Sequence, residues 1–154
     1  MEQRMNVFEK SRGVLKALSG LNIYLAKSPV EQSLFHLVSY RVSQINGCAY
    51  CLDMHSKDLR AEGETEQRLY VLDAWQEAPF YSARERAALL WAEAVTKCTV
   101  TDEIYNGARK EFSEDELLDL TMLVVATNSY NRLNIAFRTP AGTYKVGQHA
   151  VQTN

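Results

Sequence analysis

The chain has little of what interrupts a helix, with only seven Gly and three Pro among 154 residues. No long window alternates β-branched and polar residues as a half-buried strand would, so an all-helical protein is expected. Long apolar runs are also missing. The longest, Ala87 to Ala92, has six residues, against the roughly 20 that a bilayer-spanning helix needs. That excludes a membrane helix. The opening Met1-Glu2-Gln3-Arg4-Met5-Asn6 has neither an apolar h-region nor a small-residue cleavage site, so a cytoplasmic location is expected. Neither sign of charge is gathered into a block: 17 Lys and Arg meet 19 Asp and Glu, for a formal net charge of −2. A surface that tracks phosphates is not expected, and nucleic acid is not expected as a partner. Cysteine is scarce too. Three is an odd number and too few for a disulfide framework, and in a reducing compartment closely spaced thiols point to redox catalysis or metal binding.

What the chain does have is a core: 46% of its residues are hydrophobic and 10% aromatic, enough for one globular domain over residues 1–154. Periodicity divides it into about six to seven helices of a compact bundle. Val14, Leu18, Leu21 and Leu25 form one face of a helix over 7–26. Ser28, Pro29 and Glu31 read as N-cap, first helical residue and capping box of a second helix running to Ile45. Asn46-Gly47 makes a turn, and a third helix is predicted from Cys48 to near Gly63. Thr65 to Leu72 is a short helix and Trp75 to Tyr81 a connector. Ser82-x-x-Glu85 opens a helix with Ala83, Ala87, Leu90 and Ala94 on its apolar face. Thr101 caps a helix over 102–112, and Ser113-x-x-Glu116 caps a long one to Phe137. The last is apolar nearly all round from Leu117 to Ala126, so it must be covered by this domain or by another copy, and an oligomer is expected. From Arg138 onward the chain reads as a loop with a polar end. Trp75 and Trp91 are expected in the core, and Cys98 as a small buried hydrophobe.

Chemistry gathers at the second turn. On a helix starting at Cys48, steps of about 100° per residue put Cys51 about 60° and His55 about 20° from Cys48, on one face. Side chains lean toward the helix N-terminus, which brings His55 back over Cys51. The thiolate is the reactive form, and free cysteine is mostly protonated at neutral pH. A helix N-terminus and a neighbouring imidazole both raise the thiolate fraction. The spacing also lets the sulfurs close a disulfide, so one can attack while the other resolves. In the preceding helix, Leu34, Leu37, Val38, Val42 and Ile45 make the apolar stripe. His36, Tyr40 and Ser43 share a separate face, with His36 a proton-relay candidate and the other two in support.

The run Arg41-Val-Ser-Gln-Ile-Asn-Gly-Cys-Ala-Tyr-Cys-Leu-Asp-Met-His55 resembles the signature of the alkylhydroperoxidase D-like branch of the carboxymuconolactone decarboxylase family. Asn131-Arg-Leu-Asn-Ile-Ala-Phe resembles the family more weakly. The resemblance implies an all-α homo-oligomer, trimeric or hexameric, that reduces hydroperoxides or protein disulfides through the Cys pair. It implies an external dithiol reductant and neither metal nor organic cofactor. By resemblance and by proximity to His55, Cys51 attacks and Cys48 resolves. Where peroxidase members carry a relay Glu, twelve residues before the first Cys, this chain has His36. Where some members have a second His, it has Tyr50. The decarboxylase branch acts on a lactone acid without needing a Cys pair, so the intact pair argues against that reaction. Two other readings stand beside the redox one. Cys48, Cys51, His55 and His36 supply a Cys2His2 zinc set, although three ligands on one regular helix close a tetrahedron awkwardly. Alternatively the chain is a non-catalytic oligomeric scaffold.

Overall fold

The computed structural model describes residues 2–10 and 12–149, and these contain eight α-helices and no strand. They are α1 (Val7–Lys10), α2 (Arg12–Leu25), α3 (Gln32–Asn46), α4 (Ala49–Ala61), α5 (Glu66–Tyr70), α6 (Ala83–Lys97), α7 (Asp102–Ala108) and α8 (Glu114–Phe137), with a 3-10 turn at Leu72–Ala74. The helix expected over 7–26 is described on either side of residue 11, as Val7–Lys10 and Arg12–Leu25; residue 11 itself lies outside the described residues, as does the end of the polar tail from residue 150. Among the described residues no helix is long and apolar enough to cross a membrane.

Helix α3 is the centre of the bundle and packs against α4, α6 and α8. Its predicted stripe is responsible: Leu34, Leu37, Val38 and Val42 are all buried. The main core joins Phe35, Val38 and Val42 to Trp91 and Ala92 of α6 and to Leu120 and Val124 of α8. Each large side chain so buried contributes roughly 1.5–3 kcal/mol. Trp75 and Trp91 are buried as expected, their indole N–H groups donating to Glu93 at 2.8 Å and Thr121 at 3.0 Å.

Two of the predicted capping boxes form in full, at Ser82/Glu85 and Ser113/Glu116, and Thr101 caps α7. The third does not. Helix α3 begins at Gln32, and Glu31 gives its carboxylate to Arg84, which also holds Glu116 at 2.6 Å and lies over the Phe112 ring. Ser28 accepts only from the Val30 N–H, at 3.3 Å. The Arg84 interaction draws Glu31 away from the cap and ties the starts of α3, α6 and α8 together.

Other expectations shift by a face or a turn. On α6 the buried side is Ala88, Leu89, Trp91, Ala92 and Ala94, while Leu90 is exposed, because α3 and α8 both press on the helix from the other side. Val14 is exposed on α2, whose buried anchor is Leu25. Helix α7 ends at Ala108, four residues early. Cys98 is exposed, not buried. It stands past the end of α6 with φ 56°, in the left-handed conformation that terminates a helix.

Candidate functional site

Gly47 sets the site's geometry. Its φ of 69° is left-handed, its N–H bonds back to the Gln44 carbonyl, and that of Cys48 bonds to Ser43. A residue with a Cβ would be strained there. The chain reverses in one residue, and α4 packs beside α3. Cys48 becomes the N-cap of α4, not its first helical residue, and its sulfur accepts the Cys51 N–H at 3.4 Å. Cys48 and Cys51 are joined as a disulfide across a Cα–Cα distance of 5.3 Å.

Both sulfur-bearing residues are buried, Cys48 to 1% exposure and Cys51 to 2%. They are not equivalent, however. Cys51 lines a cavity of about 730 Å³, and Cys48 does not. His55, one turn along α4, lines the same cavity, as does His36 from α3. Among the described residues no partner hydrogen-bonds the His55 ring. Its pKa is lowered to about 3, first because burial disfavours the imidazolium and second because His36 lies near it. The ring keeps a partly exposed edge, yet protein surrounds it closely enough that the neutral form prevails at physiological pH. His36 Nδ1 meets the Glu62 carboxylate at 2.8 and 2.9 Å, at the partly exposed rim.

The supporting residues separate. Tyr40 is not in the cavity: it packs against the cluster of Leu37, Leu72 and Trp75, where α3 meets the 3-10 turn. Ser43 is fully buried behind the site, donating to the Ser39 carbonyl at 2.8 Å and accepting from Asn131 Nδ2 at 3.1 Å. It therefore positions Asn131 and does not face a ligand. The Cys2His2 set does not converge either. Among the described residues no three His, Cys, Asp or Glu side chains form a group that could hold a metal ion.

The structure adds residues that spacing alone did not reveal. Asn134 Nδ2 reaches Cys51 Sγ at 3.5 Å from the end of α8. The segment after α8 folds back over α4: Gly142 N–H donates to Asp53 at 2.9 Å, the Tyr144 carbonyl accepts from Lys57 at 3.1 Å, and the Tyr144 hydroxyl donates to Asp58 at 2.9 Å. Tyr144 packs with Cys48, Tyr50 and Cys51. Burial and the Asp58 carboxylate push its pKa up to about 12. His149 meets the Tyr50 hydroxyl at 2.8 Å and stacks on Phe8 at 5.2 Å. Its pKa is lowered, chiefly by burial. A second imidazole does reach this wall, from a distant stretch of chain. In the sequence these contacts show only as a Tyr and a His carried by the loop that begins at Arg138.

The sequence pattern of the carboxymuconolactone decarboxylase family matches residues 13–94. The uncharacterized protein YdfG of Bacillus subtilis is 39% identical over 93% of this chain and 99% of its own length. The alkyl hydroperoxide reductase AhpD of Mycobacteroides abscessus is 41% identical over 75 residues, 45% of this chain and 42% of its own. Among solved structures, a protein of unknown function from Agrobacterium tumefaciens, suggested to be the antioxidant defence protein AhpD, superimposes with a TM-score of 0.88. It is 36% identical and covers 93% of this chain and 100% of that one.

Proposed function

The chain belongs to the carboxymuconolactone decarboxylase family, and from that premise we propose that it is a thiol-dependent peroxidase working through Cys51, Cys48 and His55. The observation that carries this reading is that Cys51 and His55 open on one cavity while Cys48 stands within disulfide reach behind. In the reduced protein, neutral His55 takes the Cys51 thiol proton as the sulfur attacks, so the imidazolium that burial disfavours forms only beside the developing thiolate and passes its proton to the leaving oxygen. The thiolate attacks the terminal oxygen of a hydroperoxide, the O–O bond breaks, and the leaving alkoxide receives a proton and departs as the alcohol. Cys51 is then a sulfenic acid. The Cys48 thiol attacks that sulfur, displacing water and closing the disulfide. Two thiols and one hydroperoxide thus give one disulfide, one alcohol and one water.

An external dithiol small enough to enter the cavity resets the pair by exchange at Cys51. Cys48 leaves as a thiolate that the Cys51 N–H at the start of α4 stabilises. Asn134 orients the attacking sulfur, and the His36–Glu62 pair at the rim passes protons between His55 and solvent. Hydroperoxides fit the site better than protein disulfides, because a sulfur at 2% exposure is reached through a cavity and not by a docked surface. The chain works in the cytoplasm as a homo-oligomer, and the exposed Leu118 and Val125 of α8 favour assembly. Reduced protein treated with cumene hydroperoxide should lose two free thiols per chain and two mass units, with one cumyl alcohol formed. Unchanged thiol titration would instead favour a non-catalytic scaffold.

A further inference from the structure

The cavity on which Cys51 opens, at about 730 Å³, falls in the range that encloses a whole organic ligand. Much of its wall is carbon, from Phe8, Leu15, Tyr50, Met54, Leu123 and Tyr130. Its charge is one-sided. Asp58 and Glu62 bring two carboxylates and His36, His55 and His149 bring imidazoles, while among the described residues lining it none is Lys or Arg. Asp58 accepts from the neutral Tyr144 hydroxyl, and Glu62 pairs with His36. Lys57, the cation beside Asp58 in sequence, is committed to Asp53 at 2.9 Å and to the Tyr144 carbonyl, outside the lining. Burial keeps His55 neutral, and it lowers the pKa of His149 against the pull of Asp58.

Resting on the peroxidase reading of Cys51, we propose that this cavity selects its substrate by charge, accepting a neutral, ring-sized apolar hydroperoxide and rejecting one that carries a carboxylate. An anion entering it exchanges water for a wall that carries the Asp58 and Glu62 carboxylates and, among the described residues, no Lys or Arg to pair with. A neutral ring exchanges water for aromatic and thioether carbon. The same property separates the chain from the reaction in the family's name. A lactone acid is an anion at neutral pH, and holding it calls for a cationic or forked donor that the described residues of this wall do not present.

The test uses an isosteric pair, para-isopropylcumene hydroperoxide and para-carboxycumene hydroperoxide, against the reduced full chain at pH 7. Disulfide formation should be at least about tenfold faster with the neutral compound. Met54→Lys, which sets a cation into the wall, should narrow that ratio at least about threefold by speeding the carboxylate. A second arm is independent of redox chemistry: the para-isopropyl and para-carboxylate derivatives of cumyl alcohol are titrated calorimetrically into the oxidised protein, and only the neutral alcohol should bind. Equal rates with equal binding, tighter binding of the carboxylate, or binding of neither alcohol overturns the proposal. If neither hydroperoxide oxidises the Cys pair while the neutral alcohol alone binds, the peroxidase reading fails and selection by charge stands.

Discussion

At the scale of single residues, the two sulfurs differ by what each one faces. Cys51 faces the cavity and Asn134, and Cys48 faces the helix start. Cys48→Ser and Cys51→Ser should each abolish turnover with a dithiol. After one equivalent of hydroperoxide, only Cys48→Ser should accumulate a sulfenic acid, read by mass after trapping with a cyclic 1,3-diketone. Trapping in Cys51→Ser instead would reverse the roles. His55 makes a separate prediction about pH. Its folded pKa of about 3 lies below the ordinary histidine value near 6.5, so between these values the unfolded chain binds the extra proton. The stability this site contributes is complete above about pH 6.5 and falls as the solution is acidified toward pH 3, by at most about 1.4 kcal/mol per pH unit. Urea titrations between pH 7 and 4 should show His55→Gln with a flatter dependence than the parent chain. Parallel slopes would mean that His55 is not held neutral.

At the scale of elements, the helix starts differ in ways that can be measured. Ser82 and Ser113 each accept an N3 backbone N–H while Glu85 and Glu116 return the bond. Replacing either Ser by Ala should cost about 1 kcal/mol in chemical denaturation. Ser28→Ala, in a sequence pattern of the same form, should cost well under half of that, since Ser28 caps no helix. The α3–α4 turn depends on the left-handed Gly47. Gly47→Ala should destabilise by about 1 kcal/mol and also slow disulfide closure, because the same turn sets where Cys48 begins α4. Loss of stability without any change in closure would show the turn to be structural only.

At the scale of the whole molecule, α8 runs through the bundle with two kinds of surface. Leu120 and Val124 are sealed against α3 and α6, whereas Leu118 at 56% and Val125 at 42% exposure face outward. Lone exposed apolar residues are ordinary, but here they lie on a helix without a polar face through that stretch. The expected consequence is association of copies through this side. Leu118→Glu should shift the mass measured by light scattering toward a single chain while leaving the helical circular dichroism intact. An unchanged mass would place the contact elsewhere.

The sequence by itself determined the helical class, six of the helix starts to within a residue or two, the apolar stripe of α3, and the placing of two sulfurs and an imidazole on one short stretch. These are local matters: 3.6-residue periodicity, capping residues and a Gly turn act within a few positions of themselves. Tertiary structure decided everything that depends on which elements meet. Arg84 drew Glu31 from its cap, α3 and α8 chose the buried face of α6, and the packing of α3 against both α4 and the 3-10 turn left His36 at the cavity and Tyr40 outside it. Asn134 and Tyr144 reach the sulfur pair, and His149 reaches Tyr50 between them, from about 80 to 100 positions along the chain. Contacts of that separation leave no period in a sequence, because chain closure brings them together and local geometry does not.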